Sequence, residues 1–228
     1  MQIGIDARAA LWYRGSGIGT YTYQLIRGLL SIDPLNHYQL VYPPVRWTDV
    51  HDGFELIAGE DKNRSFWEEV QIAPDLESAG LDIYHVPQNG IGLPSSIQRK
   101  TKLVVTIHDL IPFVLPQTCS KSYLRIALRE LPRVVDIADY IIAVSFNTKR
   151  DLVEILGVPD DKITVVYEAA EPIYRPICHR EAKMYVEKEW GIAGTYILNV
   201  GGFSRRKNVV GLVRAFYRVK TGLPDDCQ

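Results

Sequence analysis

The clearest indication of fold class is a short apolar run, Leu103-Val104-Val105-Thr106-Ile107, which ends at His108 and Asp109. Consecutive apolar and β-branched residues are typical of a strand that is buried on both faces of a parallel sheet. In open sheets of this kind, ligands bind beyond the carboxyl ends of the strands. The run therefore predicts an α/β architecture and also the edge of the sheet at which a functional site would lie.

Similar segments recur along the chain and alternate with amphipathic helical patterns. We predict further strands at 2–7, 38–42, 81–86, 140–144 and 163–167, and helices at 20–31, 121–138 and 147–156. Residues 45–65 read mainly as loops with a short strand at 54–57, and a helix is expected at 65–77. The alternation predicts a Rossmann-like, doubly wound α/β fold with a mostly parallel sheet.

The sequence changes character after residue 170. Residues 171–194 hold two prolines and a charged stretch at 180–189, and they are predicted to be an interdomain segment with a helix. A new strand is expected at 196–200, followed by a turn at 201–208 and a helix at 209–220. We therefore predict a domain at 1–172, a linking segment at 173–194, and the start of a second Rossmann-like domain at 195–228. One strand and one helix cannot complete such a domain, because their apolar faces need partners.

Composition and charge argue against several classes of protein. The 228 residues include 26 basic and 27 acidic side chains, for a net charge of −1, so no nucleic-acid partner is expected. The three cysteines form no CxxC pair, which predicts neither a disulfide framework nor a zinc site but the reduced thiols of a cytoplasmic protein. The first residues do not resemble a signal peptide, and the longest apolar stretch is too short and too polar to span a bilayer.

A glycine-rich turn with three cations precedes the last predicted helix. Gly201 and Gly202 allow the backbone to approach a ligand closely, and the free N–H groups of the following helix suit a phosphate. Arg206 and Lys207, with Arg205 before them, add donors and positive charge for a diphosphate. These residues by themselves leave two interpretations open, a phosphate-binding turn and a solvated basic turn.

Polar side chains at predicted strand ends are candidates for contact with a ligand. His108 could hydrogen-bond a ligand hydroxyl or shuttle a proton, or it could simply pair with Asp109 in a loop. Glu168 follows another strand and either lines a cleft or caps a turn, and His85 is a further candidate at a strand end. Ser145 is not surrounded by a nucleophile-elbow pattern and is predicted to be a helix N-cap.

The basic turn resembles the donor-binding turn of family 4 glycosyltransferases. The similarity lies in Asn199-Val200-Gly201-Gly202-Phe203-Ser204-Arg205-Arg206-Lys207-Asn208 and the following Leu212, Ala215 and Phe216. Earlier stretches are similar, in the same order, to the mannosyltransferase-like branch of that family: Ile5-Asp6-Ala7-Arg8, Gly17-Ile18-Gly19-Thr20-Tyr21, Thr106-Ile107-His108-Asp109-Leu110-Ile111-Pro112 and Ile142-Ala143-Val144-Ser145. The resemblance covers nearly the whole chain.

The resemblance implies a GT-B fold of two facing Rossmann-like domains and transfer with retention of configuration. It implies that Arg206 and Lys207 contact the diphosphate of a nucleotide sugar, with the two glycines of the turn beside them. Arg205 stands where the family usually has another residue. Gly17 and Gly19 are expected in a loop at the interdomain cleft.

On the acceptor side, the resemblance implies that His108, with Asp109 beside it, contacts the sugar as a catalytic residue. Glu168 is expected to line the cleft. It stands in Val166-Tyr167-Glu168-Ala169-Ala170, where most of the larger family has Pro-Asn-Gly.

The implied activity is the transfer of a hexosyl group from a nucleotide-diphosphate sugar to a glycan or lipid-linked acceptor, as in polysaccharide biosynthesis. No metal and no other cofactor are expected, and the implied location is the cytoplasm, with peripheral contact at the inner membrane. The family's Glu-x7-Glu pair would lie beyond Lys220, so we expect the 228 residues to be the front part of the enzyme and inactive by themselves. Two alternatives stay open, a non-catalytic module that holds an acceptor or partner and a nucleotide-sugar epimerase on the same scaffold.

Overall fold

The structure, a computed structural model, describes residues 1–12, 15–42, 46–51, 76–93 and 100–223. It consists of two compact units, Met1–Ala169 and Ala170–Gln228. The strand expected at 54–57 and most of the helix expected at 65–77 lie outside the described residues.

The first unit is built on a mostly parallel seven-stranded sheet. The strands are β1 (Gln2–Asp6), β2 (His37–Tyr42), β3 (Arg46–Val50), β4 (Ile83–Val86), β5 (Lys102–Ile107), β6 (Tyr140–Ala143) and β7 (Ile163–Val165). Their order is β3-β2-β1-β4-β5-β6-β7, and every neighbouring pair is parallel except β2 with β3. The predicted Rossmann-like α/β class is confirmed.

The strand order reverses direction between β1 and β4. The chain first moves outward from β1 to β2 and β3, and it then returns to the other side of β1 for β4 to β7. Ile5 of β1 therefore lies between Leu40 of β2 and His85 of β4. Loops at such a reversal diverge to opposite sides of the sheet and leave a crevice at the carboxyl ends of the strands.

Helices pack against the strands, and three of the described helices begin at a serine N-cap. The helices are α1 (Arg8–Trp12), α2 (Gly17–Ile32), α3 (Leu76–Ala79), α4 (Ile111–Val114), α5 (Lys121–Ile137), α6 (Phe146–Leu156), α7 (His179–Trp190) and α8 (Val209–Val219). Ser16, Ser120 and Ser145 each accept the backbone N–H of the residue three positions on. Each cap satisfies an N–H that has no partner within the helix, and the N-cap predicted at Ser145 is confirmed.

Among the described residues, the two largest of three apolar clusters hold the helices against the sheet. The larger joins β4, β5 and β6 to α5 and α6, with Val105, Leu131 and Leu152 fully buried. The smaller joins β1 and β2 to α1 and α2 around Ile5 and Ile26. Burial of each such side chain contributes about 1.5–3 kcal/mol.

The strand β3 (Arg46–Val50) lies in a region that the sequence predicts as loops. It pairs antiparallel with β2, with Leu40 opposite Thr48. An antiparallel edge strand can keep one face in solvent and so does not need a continuous apolar run. The sequence pattern at 46–50 therefore lacks the signal that reveals the inner strands.

The second unit contains α7 and α8 but no strand at 196–200, so that prediction is wrong in its secondary structure. A strand needs a neighbour to share its backbone hydrogen bonds, and the described part of this unit offers none. Both helices were expected, and neither has a buried residue.

Candidate functional site

Polar groups gather at the carboxyl edge of the sheet, where the parallel strands end together. Arg8 follows β1, Gln88 and Asn89 follow β4, His108 follows β5, and Glu168 comes after β7. These residues are far apart in sequence, and parallel pairing brings their strand ends to one edge.

His108 is held on several sides. Its ring Nε2 lies 2.8 Å from the carbonyl oxygen of Pro87, and Nδ1 lies 3.1 Å from Glu168 Oε1. Its backbone N–H donates to Asn89 Oδ1 over 2.7 Å, and its carbonyl accepts from Thr148 Oγ1 over 3.0 Å. The structure therefore fixes both the backbone and the ring of this residue.

Tyr21 of α2 forms a wall beside His108. The two rings meet edge to face, with centroids 4.8 Å apart and planes at 89°. The Tyr21 hydroxyl lies 3.3 Å from Thr106 Oγ1, which in turn lies 2.9 Å from His85 Nε2. Burial raises the pKa of Tyr21, the hydrogen bond with Thr106 opposes that rise, and the Glu168 charge adds to it. The Tyr21 hydroxyl is therefore neutral at ordinary pH.

His85 belongs to the interior of the sheet rather than to an open site. It is 6% exposed, and burial lowers its pKa to about 4. A neutral imidazole with one nitrogen bonded to Thr106 is a packed core group. It supports Tyr21 through Thr106 and has little access to a ligand.

A buried ion pair lies at the end of β1. Asp6 and Arg8 are both fully buried, and Arg8 Nε donates to Asp6 Oδ1 over 2.8 Å. Asp6 Oδ2 also accepts from Gln88 Nε2 over 2.7 Å and from the Tyr84 hydroxyl over 3.3 Å. Burial lowers the pKa of Arg8, but the Asp6 carboxylate outweighs that effect and the net pKa is raised. Arg8 therefore stays ionised, and the Asp6 carboxylate, which also accepts from Gln88, ties β1 to the turn after β4.

Asp109 has a local partner. Its carboxylate accepts the backbone N–H of Ile111 over 3.1 Å, at the start of α4. This contact is typical of a residue that supports a helix start. Glu168, by contrast, has a half-exposed side chain and reaches across the edge to His108.

Gly17 and Gly19 lie in the first turn of α2 and not in a loop, so their expected loop conformation is wrong. The reason is the Ser16 side chain, which accepts the N–H of Gly19 and begins the helix one turn earlier than predicted. Gly17 is exposed and Gly19 is buried. The α2 N-terminus belongs to the first unit, as do the residues around His108.

The basic turn belongs to the second unit. Arg205–Lys207 forms a short 3₁₀ turn directly before α8, and all three side chains are exposed. The Lys207 side-chain stem runs alongside Gly201, and Gly202 has open space around it. The turn thus presents cations and backbone next to the N-terminus of an eleven-residue helix.

The structure brings together only some of the predicted residues. It joins His108 to Glu168, and it reveals contributions that sequence reasoning missed from Tyr21, Gln88 and Asn89. Tyr21 stands in a helical pattern and looks like ordinary core. Asn89 precedes a glycine, a pair that signals a turn but not its target.

Neither a metal-binding cluster nor a membrane-spanning helix occurs in the part of the chain that the structure describes. None of these residues forms a cluster of three or more histidine, cysteine or acidic side chains that could hold a metal ion. Within the same part of the chain, no helix has the length and apolar character needed to cross a bilayer.

A doubly wound sheet with polar groups at its carboxyl edge defines a Rossmann-like α/β protein, a class in which ligands bind at the switch in strand order. The family model for Glycosyltransferase Family 4 matches residues 15–172, and the chain belongs to this family. It is also similar to O-antigen chain mannosyltransferase B of Escherichia coli, with 28% identity over 134 residues. That match covers 59% of this chain and 34% of the relative, so the chain spans only part of the relative's length.

Proposed function

We propose that the protein is a glycosyltransferase that moves a hexosyl group from a nucleotide-diphosphate sugar to a glycan or lipid-linked acceptor, with retention of configuration. The observation that carries the proposal is the family match over 15–172. The similarity to a mannosyltransferase makes mannose the first sugar to test. A nucleotide-sugar donor is consistent with work in the cytoplasm, and a lipid-linked acceptor would bring the enzyme to the inner membrane surface.

On the donor side, we assign the diphosphate to the basic turn. Arg206 and Lys207 supply positive charge and donors, and Gly201 and Gly202 let the phosphates approach the backbone. The α8 N-terminus adds unpaired N–H groups with a favourable dipole. These groups would stabilise the charge that develops on the leaving diphosphate, a role that fixed cations and dipoles can fill.

We assign the contacts with sugar hydroxyls, as distinct from those with the donor diphosphate, to the carboxyl edge of the sheet. His108 and Glu168 lie there with Asp109 nearby, and the first turn of α2 carries Gly17 and Gly19. The half-exposed Glu168 carboxylate, which contacts the enclosed His108 ring, is a polar group at this edge to which a sugar hydroxyl can hydrogen-bond. Donor and acceptor sugars both carry such hydroxyls.

A transfer assay tests the proposal. Because the 228 residues are expected to be inactive by themselves, the intact enzyme is incubated with UDP- and GDP-hexoses and candidate glycan acceptors, and the product is followed by mass spectrometry. Arg206→Gln and Lys207→Met are each expected to lower kcat/KM by roughly 10- to 100-fold, because each removes a charge-assisted contact to phosphate. The matched variant Arg205→Gln lies in the same turn and is expected to change kcat/KM by less than about threefold.

The stereochemical part of the proposal has its own measurement. The anomeric configuration of donor and product is compared by NMR, and retention predicts an α-linked product from an α-linked donor. An inverted product would overturn retention and leave the transferase assignment intact. If no nucleotide sugar reacts, the transferase proposal is wrong. If the enzyme keeps full activity without Arg206 and Lys207, the proposed donor site is wrong.

A further inference from the structure

Both ring nitrogens of His108 are already engaged. The carbonyl oxygen of Pro87 can only accept, so Nε2 must carry a proton for its 2.8 Å contact. The carboxylate oxygen of Glu168 is likewise an acceptor, and it lies 3.1 Å from Nδ1. Both ring nitrogens therefore face acceptors of the protein itself, and neither is left to bind a ligand.

The surroundings of His108 also shield it. Its side chain is only 10% exposed, whereas the side chain of Glu168 is 50% exposed. Tyr21 covers one side of the imidazole edge to face, and Asn89 and Thr148 hold its backbone. A ligand that reaches this edge of the sheet meets Glu168 before His108.

An aromatic pair lies next to Glu168 along the chain. Tyr167 directly precedes it, and Phe146, the first residue of α6, meets Tyr167 with ring centroids 6.1 Å apart and planes at 67°. Tyr167 is 64% exposed and Phe146 65% exposed. A half-exposed carboxylate that follows an exposed aromatic pair along the chain suits an amphipathic ligand that has hydroxyls on its edge and C–H groups on its face, as a pyranose has.

We propose that Glu168 binds a sugar hydroxyl at this edge and that His108 is the positioning residue that orients its carboxylate. Glu168 Oε1 accepts from His108 Nδ1, and Oε2 accepts the hydroxyl proton in a charge-assisted hydrogen bond. The proposal rests on the proposed function and reverses the roles expected from sequence, in which His108 contacts the sugar. The hydroxyl belongs to the donor sugar or to the acceptor sugar, which share this chemistry.

The test pairs variants with deoxy sugars. Wild type, Glu168→Ala, Glu168→Gln and His108→Gln are assayed with deoxy analogues of the donor hexose and, in a second arm, of the acceptor sugar. His108→Gln keeps one amide nitrogen, which can replace the donor to Pro87 or to Glu168 but not both. Glu154→Gln, an exposed glutamate on α6, is the matched control, and thermal unfolding shows whether each variant is folded.

The expected pattern is a coupling between Glu168 and one hydroxyl. The deoxy analogue that lacks this hydroxyl lowers the wild-type kcat/KM by roughly 10- to 100-fold, the usual range for a charged hydrogen bond. Glu168→Ala loses a similar factor on the normal sugar and nothing further on that analogue. His108→Gln is slower than wild type but still discriminates against the analogue, and Glu154→Gln behaves as wild type.

Two outcomes overturn the proposal. One is that Glu168→Ala still discriminates against every deoxy analogue as wild type does. The other is that His108→Gln abolishes the discrimination while Glu168→Ala retains it, which would make His108 the sugar contact. A wild-type enzyme that transfers no hexose at all would instead refute the proposed function, so the two failures are distinguishable. The arm in which coupling appears identifies the donor or the acceptor as the source of the hydroxyl.

Discussion

At the scale of single residues, Gly90 shows how tightly the turn after β4 is built. Its φ is +63°, a left-handed conformation, and a Cβ at this position would overlap a methyl group of Val134 in α5. Its neighbour Asn89 also has a positive φ, of 54°, and holds the backbone of His108. The turn therefore has little freedom to adjust, and a change in it would be transmitted to the site.

Gly90→Ala is expected to lower the free energy of unfolding by about 3 kcal/mol or more, because backbone strain adds to steric overlap. Gly157→Ala is the matched control, since Gly157 has nearly the same φ, of 66°, but open space around it. That variant should cost only about 1–2 kcal/mol, which is the strain of a left-handed backbone without steric overlap. Urea denaturation of both variants measures the difference, and equal losses would show that Val134 moves aside without cost.

His85 makes stability depend on pH. Its folded-state pKa of about 4 lies below the ordinary value of 6.5, so the unfolded chain takes up a proton first as pH falls. The contribution of neutral His85 to the free energy of unfolding is fully present above pH 6.5 and is lost between pH 6.5 and 4. The loss is on the order of 3 kcal/mol, since one pKa unit corresponds to about 1.4 kcal/mol.

The measurement is the free energy of unfolding of wild type and His85→Gln at several pH values between 7.5 and 4. Glutamine can keep a hydrogen bond to Thr106 but does not titrate. We expect the variant to lose less stability than wild type over this interval, with the remaining loss due to carboxylates. Parallel curves for the two proteins would contradict the burial argument.

At the scale of helices and strands, the caps are testable features. The Ser145 hydroxyl accepts the N–H of Thr148 and begins α6. Ser145→Ala is expected to cost about 1 kcal/mol of unfolding free energy, whereas Ser145→Asp keeps an acceptor and most of the stability. Ser31→Ala is the control, because the exposed Ser31 hydroxyl only donates to the Gly28 carbonyl within α2, so its loss should cost less than about 0.5 kcal/mol. A similar cost for the two alanine variants in chemical denaturation would argue against the cap.

The elements that sequence predicts well are those with strong periodic signals. The inner strands read as apolar runs because they are buried on both faces, and α5 and α6 read as amphipathic repeats. The edge strand β3 lacks such a run, so it was not predicted. Residues 196–200 have the run but no neighbouring strand among the residues that the structure describes, so the strand predicted there was wrong. The local pattern of apolar residues indicates burial and secondary-structure propensity, but it does not indicate whether a neighbouring strand is available for pairing.

The site could be predicted only in part for a related reason. The rule that ligands bind at carboxyl strand ends selects His108 and Glu168, which lie 60 residues apart. It does not say that their side chains meet. Nor does any pattern reveal that Pro87, through its carbonyl, occupies the second ring nitrogen, because a backbone group has no sequence signature.

At the scale of the whole molecule, the first unit contains the sheet and the hydrophobic core that independent folding requires. Among the residues that the structure describes, all seven strands and every buried residue lie in it. A chain of residues 1–169 is therefore expected to unfold cooperatively, with a melting temperature within a few degrees of the 228-residue chain, by circular dichroism. A shorter chain of residues 1–156 is the control.

The shorter chain loses β7 and the buried Val158 and Ile163. Each buried side chain contributes about 1.5–3 kcal/mol, so a melting temperature lower by roughly 10 °C or more is expected. If the 1–169 chain had no cooperative transition, the second unit would be required for the first to fold.

The Asp6–Arg8 pair also limits the routes by which this protein can evolve. Neutralising either residue alone leaves the other ion in the interior without its opposite charge, which typically costs about 3–5 kcal/mol, a large share of the stability of most domains. Gln88 donates to the same carboxylate and would lose its acceptor as well. Natural variants are therefore expected to keep the three residues as a set or to exchange all three together, and intermediates should be rare among living relatives.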